Sequence, residues 1–471
     1  MLPSLLPART TWCLATRLPA SFSDLTMFII PVATTPGNAL VRRDVRHSGR
    51  TARRSSRSPV IARANADADA KRASPADVTR RAVLSTAAGF AAGVLSNDRA
   101  GVTNTPSGGL VLPGSYLWPD AAYAGDLPSV PKAAAALKHT ADVIPSRVIK
   151  GCWQLGGGHR GDPGSDRTSG NEAQQDFAPF VAAGVTTFDT GPEACGYGPS
   201  ELVIGEALKK GVIKRSDVQI FTKLCCVGRE QQNMTNEFIT QKLDLPKRRL
   251  GVDKLDLVQM YWNDYGAKHY VDAALFLTDA KHAGSIGAVG LTNFDTKRMA
   301  EMVDAGAEIS SNQIQFSLLD RRPEKVMVEY CVQNGIGLLP YGVVAGGLLS
   351  DKFLELPGED VVLDTSSKRK YASVLEYAGG YAWFQTLLQV LKQVGDKHGV
   401  PIANVAAKWV LANEAVPAVI LGARNATHVE DHRLLFSWDL DLEDMGNLRA
   451  VVDSGKLPKE DCYQYERGGG W

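Results

Sequence analysis

From Val148 onward the chain repeats one pattern eight times: a short run rich in β-branched and apolar residues, then a longer stretch with helical spacing. Alternation of this kind marks parallel strands joined by crossover helices, and eight repeats favour a closed (β/α)8 TIM barrel over an open doubly wound sheet. Strands are expected at 148–155, 186–190, 218–224, 255–262, 287–293, 311–317, 335–341 and 417–422. The helices between them carry ordinary start and stop signals: Pro199-Ser200 leads into a helix over 201–210, and Gly211 ends it. A chain of 471 residues, 44% hydrophobic, holds enough apolar material for one core of that size.

The charge balance excludes some partners. A formal net charge of +1 creates no long-range field for nucleic acid, and no apolar run of membrane-spanning length appears in the mature part. The seven cysteines, Cys13, Cys152, Cys195, Cys225, Cys226, Cys331 and Cys462, show neither a CxxC nor a Cys/His metal spacing and read as free thiols. Neighbouring Cys225 and Cys226 point to opposite faces of a strand, so they do not pair with each other. The eight histidines form no HExxH, and no metal is expected.

The amino-terminal part reads as address rather than fold. Residues 1–65 contain no Lys or Glu and only Asp24 and Asp44 as acids among many Arg, Ser and Ala, the composition of a plastid or, less in keeping, mitochondrial transit peptide, taken here as residues 1–75. Within 76–124, Arg80-Arg81 precede an apolar run over 82–95, and Ala122-Tyr123-Ala124 has the small-x-small form of a signal-peptidase site. That combination suits a twin-arginine thylakoid signal; an amphipathic transit helix suits the same residues and leaves the protein in the stroma. The catalytic part is then 125–471, with its core at about 148–453.

No GxGxxG follows the first strand, and Gly156-Gly157-Gly158 lacks the helix and later acid of a Rossmann turn. Barrel enzymes instead gather their chemistry at strand carboxyl ends. Asp189 closes the second strand, Tyr197 lies on the following loop and Lys223 closes the third, so three polar groups share one rim. Each alone has a plainer explanation, since a strand-end Asp commonly caps a helix or bonds a loop and a strand-end Lys is commonly surface trim.

The ordered series Gly151-Cys152-Trp153, Phe188-Asp189-Thr190, Tyr197-Gly198-Pro199-Ser200-Glu201, Phe221-Thr222-Lys223, Gly290-Leu291-Thr292-Asn293-Phe294, Asn312-Gln313 and Gly422-Ala423-Arg424-Asn425 resembles the aldo/keto reductases. The resemblance implies hydride transfer between NADP(H), or NAD(H), and an aldehyde or ketone, with Tyr197 as proton donor. Lys223 is expected to lower the phenol's pKa, and Asp189 to hold Lys223. Where the family has a histidine, this chain has Tyr261, which donates a hydrogen bond but carries no proton at pH 7 as imidazole does. On the cofactor side the resemblance implies Trp153 as a cofactor contact and Thr292, Asn293 and Gln313 at the nicotinamide carboxamide, with Tyr341 stacked on the ring. It places Gly342, Val344 and Gly346 along the pyrophosphate, Gly422, Ala423 and Arg424 at a phosphate, and His428, Asp431 and His432 near the adenine. Potassium-channel β subunits share the barrel and also lack the histidine, so an NADPH-binding regulatory protein with little turnover is the alternative. Substrate identity and oligomeric state are silent: the loop over 157–171 carries no decisive chemistry, and the aromatic tail at Tyr463, Tyr465 and Trp471 is read as packing outside the barrel.

Overall fold

The computed structural model describes residues 127–156, 168–232 and 234–463. The two address segments, most of the loop after the first strand, and Tyr465 and Trp471 of the tail lie outside the described residues.

Eight strands form the sheet: β1 (Val148–Gly151), β2 (Thr187–Asp189), β3 (Gln219–Cys226), β4 (Leu255–Trp262), β5 (Ile286–Thr292), β6 (Ile309–Gln315), β7 (Gly337–Tyr341) and β8 (Val419–Gly422). All neighbouring pairs are parallel in the order β7-β6-β5-β4-β3-β2-β1-β8. The remaining seam, between β7 and β8, is drawn together by the Leu338 amide donating to the carbonyl of Ala415 at 2.8 Å and by Gly337 lying against Pro417. The chain is therefore a (β/α)8 TIM barrel, as the eightfold alternation implies. Every expected strand is present. The first is shorter than expected because the chain turns at Cys152 into a 3-10 turn, Trp153–Gly156, and the seventh begins later because Gly335, at φ 64°, ends the preceding helix.

Helices α1 (Gly170–Gln175) and α2 (Phe177–Ala182) follow β1, and α3 (Ser200–Lys209) follows β2. Next come α4 (Asn236–Leu250), α5 (Tyr270–His282), α6 (Thr296–Asp304) and α7 (Met327–Asn334), one after each of β3 to β6. Three helices, α8 (Ser366–Ala378), α9 (Gly380–His398) and α10 (Ile402–Leu411), separate β7 from β8, and α11 (Val429–Leu434) and α12 (Leu442–Ser454) close the chain. Side chains on the outer strand face, such as Phe188, Leu224, Val258, Leu291 and Ile314, join the helices in one large apolar core. Close packing in that layer depends on Gly205 of α3: a Cβ there would stand 2.1 Å from the carbonyl oxygen of Arg249 at the end of α4.

The barrel interior is divided along its axis. At the amino-terminal end Ile149, Phe221, Leu257, Ala288, Leu339, Ala418 and Ile420 pack with Leu137 and Val143, which belong to the segment before β1. That segment is pinned as a plug by an antiparallel bridge between Lys132 and Ser146 and by Val130 bonding the Ala183 carbonyl at 2.8 Å. Toward the carboxyl ends the inward positions become polar: Asp189, Lys223, Gln259, Ser311 and Gln313 are all buried. Gly290 makes room for this layer, since a Cβ there would lie 2.8 Å from the Ser311 hydroxyl and 3.1 Å from Gln259.

Candidate active site

Asp189 ends β2 and Lys223 sits on the inner face of β3, one strand away. Their side chains meet at 2.7 Å as an ion pair only 4% and 2% exposed. Tyr197 arrives from the loop between β2 and α3: Gly196 (φ 81°) and Gly198 (φ 50°) flank it in left-handed conformations that favour glycine, and its ring lies against Gly191. Its hydroxyl donates to Asp189 Oδ2 at 2.6 Å and accepts from Lys223 Nζ at 2.7 Å, and the Lys223 ammonium sits 4.1 Å from the ring centroid. Lys223 also donates to the Thr190 carbonyl at 2.9 Å. The three residues that the sequence places on one rim are thus in direct contact.

The protonation balance differs from the expectation. Burial first, then the negative charge of Asp189 and the hydrogen bond to it, push the Tyr197 phenol well above its ordinary pKa, so the nearby ammonium does not make it more acidic in this geometry. Burial pulls Lys223 down, against the raising effect of Asp189. The result is a neutral phenol whose proton is already engaged at the site, which is the form a proton donor needs at rest.

Two glutamines support the trio from below. Gln259 on β4 donates to Asp189 Oδ1 at 2.9 Å, and Gln313 on β6 donates to the same oxygen at 2.6 Å and to Gln259 Oε1 at 2.8 Å. Gln259 is absent from the sequence-derived set; its signal was a lone amide two residues before Tyr261 on an otherwise apolar strand. Gln313 is in that set as a cofactor contact, and here its amide nitrogen is committed to the carboxylate that holds Lys223. Tyr261 shares the inner face with Gln259 and is half-buried, in register with Cys225 on β3 and Thr292 on β5. Its neighbour Trp262 points the other way, fully buried, donating its indole N–H to the carbonyls of Asp264 and Ala267.

The cofactor-side residues ring the same mouth. Thr292 is buried, and Asn293, at φ 64°, accepts the Tyr341 hydroxyl on its side-chain oxygen at 3.1 Å. The Lys370 ammonium of α8 stands 5.0 Å from the Tyr341 ring centroid, so a flat ring stacked on Tyr341 uses the opposite face. After β7, Gly342, Ala345, Gly346 and Gly347 all have positive φ, with half-buried Val344 among them, and the amides of Ala345 and Gly347 close the turn on the carbonyls of Gly342 and Val344. Helix α8 covers this loop, with Tyr371 against Gly342 and Ser367 against Gly346. Gly422 is exposed at the end of β8, and among the described residues only Gln154 Oε1, at 4.0 Å, is near the place a Cβ would fill. Ala423 is buried behind it, its carbonyl taken by Lys150 and Gln154, and Arg424 is exposed. Trp153 lies against Gly196, beside the Tyr197 loop. An open glycine cradle, an exposed arginine and a stacking tyrosine fit a dinucleotide.

A model of the aldo/keto reductase family matches residues 147–453. The chain belongs to the aldo/keto reductase family. An aldo-keto reductase of Bacillus subtilis is 25% identical over 312 residues, covering 66% of this chain and 90% of that protein. The NADH-specific methylglyoxal reductase of Escherichia coli is 24% identical over 339 residues, covering 67% and 97%. The chloroplastic pyridoxal reductase of Arabidopsis thaliana is 25% identical over 313 residues, covering 62% and 80%. Among solved structures, the glycerol dehydrogenase of Gluconobacter oxydans superposes with a TM-score of 0.55 at 23% identity, covering 70% of this chain and 98% of that one. That last likeness bears on the fold alone.

Within this aldo/keto reductase, three placements depart from the sequence reading. Cys195 and Cys225 form a disulfide with their Cα atoms 6.1 Å apart, so those two are not free thiols, while Cys152, Cys226 and Cys331 are free thiols and are buried, as is Cys462. The signal was present, because Cys195 lies two residues before Tyr197 and Cys225 two after Lys223, and those residues touch. Tyr463 is buried beneath the Arg322 guanidinium, 5.9 Å from its ring centroid, and close enough to Tyr197 to disfavour its phenolate; the start of the tail therefore turns toward the site instead of packing outside the barrel. His428 and Asp431 bond each other at 3.2 Å on the partly exposed side of α11, whereas His432 is in the core, 5.6 Å from Phe180 between ring centroids, beside buried Lys150.

His432 gives a pH prediction. Burial, with smaller contributions from His428 and Lys150, brings its imidazole down to about 3, and its Nδ1 has no hydrogen-bond partner among the described residues. The unfolded chain takes up that proton near pH 6.5, so the contribution to stability is complete above pH 6.5 and is lost as pH falls from there toward 3. The slope is at most about 1.4 kcal/mol per pH unit, or about 2 kcal/mol between pH 6.5 and 5. Urea midpoints at pH 7.5 and 5.0 are expected to differ less for His432→Asn than for the wild type; equal differences would show that this imidazole is not buried neutral.

Proposed function

We propose that this aldo/keto reductase reduces small or aromatic aldehydes and ketones with NADPH, and that Tyr197 protonates the carbonyl oxygen. The observation that carries the reading is the contact of the Tyr197 hydroxyl with both Lys223 and Asp189 in a buried layer at the strand carboxyl ends. A bound nicotinamide supplies the hydride. The chain's own part is to orient the carbonyl and to move one proton. The Tyr197 proton, held by Asp189 at rest, turns to the substrate oxygen as negative charge grows there, and Lys223 stabilises the phenolate left behind. Tyr261 offers a second hydroxyl from β4 to the same oxygen as a hydrogen-bond donor; Tyr197 is the proton source because Lys223 touches its hydroxyl and stabilises the phenolate that proton transfer leaves.

The cofactor would lie with its nicotinamide between Tyr341 and the trio, held by Thr292 and Asn293, its pyrophosphate along Gly342 to Gly346 and its adenosine end beside Gly422 and Arg424. Gln313 then acts through Asp189 rather than on the ring. The names of the methylglyoxal and pyridoxal reductases denote small and aromatic aldehydes, which supports that substrate class. Plastid import belongs to the same proposal, supported by the acid-poor, arginine-rich composition of residues 1–65.

Tyr197→Phe is expected to lower kcat about 100-fold or more across an aldehyde panel, with NADPH binding by fluorescence titration unchanged. Equal NADPH consumption by the two proteins would remove Tyr197 as donor, and tight NADPH binding with no turnover by the wild type would leave a cofactor-holding regulatory protein. Arg424→Ala is expected to weaken NADPH about 10-fold or more and to leave NADH unchanged, because a charge-assisted pair to a ribose phosphate contributes about 1.5–3 kcal/mol. Equal losses for both cofactors would place Arg424 away from that phosphate. A fluorescent protein carrying residues 1–125 at its amino terminus is expected in plastids; a cytosolic signal would refute the import proposal.

A further inference from the structure

The disulfide sits where it constrains the chemistry most. Cys195 closes the 3-10 turn Glu193–Cys195 on the loop that carries Tyr197, and Cys225 follows Lys223 by two residues on β3, so their side chains emerge from the same inner face of the strand. The bond therefore ties the proton donor's loop covalently to the strand that bears its cationic partner. Besides the bond, the loop is held by local turns, Cys195 N–H to the Pro192 carbonyl at 3.0 Å, Gly196 N–H to the Glu193 carbonyl at 2.8 Å, Tyr197 N–H to the Pro192 carbonyl at 3.4 Å and Ser200 N–H to the Tyr197 carbonyl at 3.1 Å, and by the Tyr197 hydroxyl itself. Two glycines flanking Tyr197 leave its backbone with wide freedom once the tie is cut.

The two sulfurs differ in access. Cys195 is partly exposed at the mouth, whereas Cys225 is 3% exposed. An incoming thiolate thus reaches the Cys195 sulfur first.

We infer that the Cys195–Cys225 bond is a modification site, opened by a dithiol reductant, whose state sets how well Tyr197 is held against Lys223. One thiolate of the dithiol attacks Cys195 Sγ, the Cys195–Cys225 bond breaks, and Cys225 leaves as a thiolate that takes up a proton. The second thiol then attacks the mixed disulfide and releases Cys195; the dithiol ends as a disulfide, having delivered two electrons and two protons. The oxidised form is the one with the trio assembled, so reduction lowers turnover through the donor's position and not through cofactor binding: a displacement of the order of 1 Å in a reacting group costs up to about 100-fold. The activity part of this inference rests on the reductase reading; the existence of the bond and its hold on the loop do not.

The test uses the full-length chain with dithiothreitol as the dithiol. Alkylation under denaturing conditions before and after treatment is expected to add two labels, mapped to Cys195 and Cys225. Amide hydrogen exchange over 193–199 is expected to rise on reduction. With an aldehyde substrate, kcat is expected to fall about fivefold while KM for NADPH stays within twofold. Cys195→Ser and Cys225→Ser are expected to match the reduced wild type and to ignore dithiothreitol. Labelling of both cysteines before any reductant, or opening with unchanged loop exchange and unchanged kcat, overturns the proposal, as does a response to dithiothreitol in the serine variants. If the oxidised and reduced proteins both fail to reduce any carbonyl, the reductase reading falls, and labelling and exchange still decide whether the bond exists and holds the loop.

Discussion

The site depends on one buried ion pair. Lys223 and Asp189 face each other in the upper barrel, out of water, where each charge is tolerable only because the other is present and because the remaining lone pairs and protons find partners. Gln259 and Gln313 fill the carboxylate's Oδ1, Thr190 takes a lysine proton, and Tyr197 bridges both charges. Removing any one of these leaves a buried group unmatched, so the pair, the two amides and the phenol behave as a unit.

That unit also explains the character of the barrel. A polar layer near the carboxyl ends needs a rigid base, and the apolar interior at the opposite end, sealed by Leu137 and Val143, provides one. Gly290 gives the layer its width. On the cofactor side the fold supplies mainly backbone: positive-φ residues after β7 and an open glycine after β8, with α8 packed over the first of these. Polar side chains are concentrated on β2 to β4, and glycine-rich backbone at the ends of β7 and β8.

The strands were legible because each is a short apolar run bounded by turn residues, and parallel strands buried on both faces leave that imprint. Tyr197, Lys223 and Asp189 were legible as polar interruptions at strand ends whose spacing suits one rim. Gln259 was not, because a glutamine inside a strand carries no sign of the carboxylate it will meet from a strand far away in sequence. The disulfide was missed because its cysteines are 30 residues apart and follow no motif; only the knowledge that Tyr197 and Lys223 touch brings them together. The direction of the Tyr197 shift depended on burial, which sequence does not give, and outweighed the charge of the neighbouring lysine. The inward turn of Tyr463 is likewise a matter of tertiary packing.

The segment that stoppers the barrel has a consequence for processing. Val130, Leu137 and Val143 are integral to the folded body, so proteolysis from the amino-terminal side leaves that body whole only when it stops upstream of them. A cut beyond Val143 would remove Leu137 and Val143, expose the floor of the barrel to water and undermine the platform beneath the polar layer. Any trimming from the amino-terminal side is in this sense bounded by the architecture of the barrel.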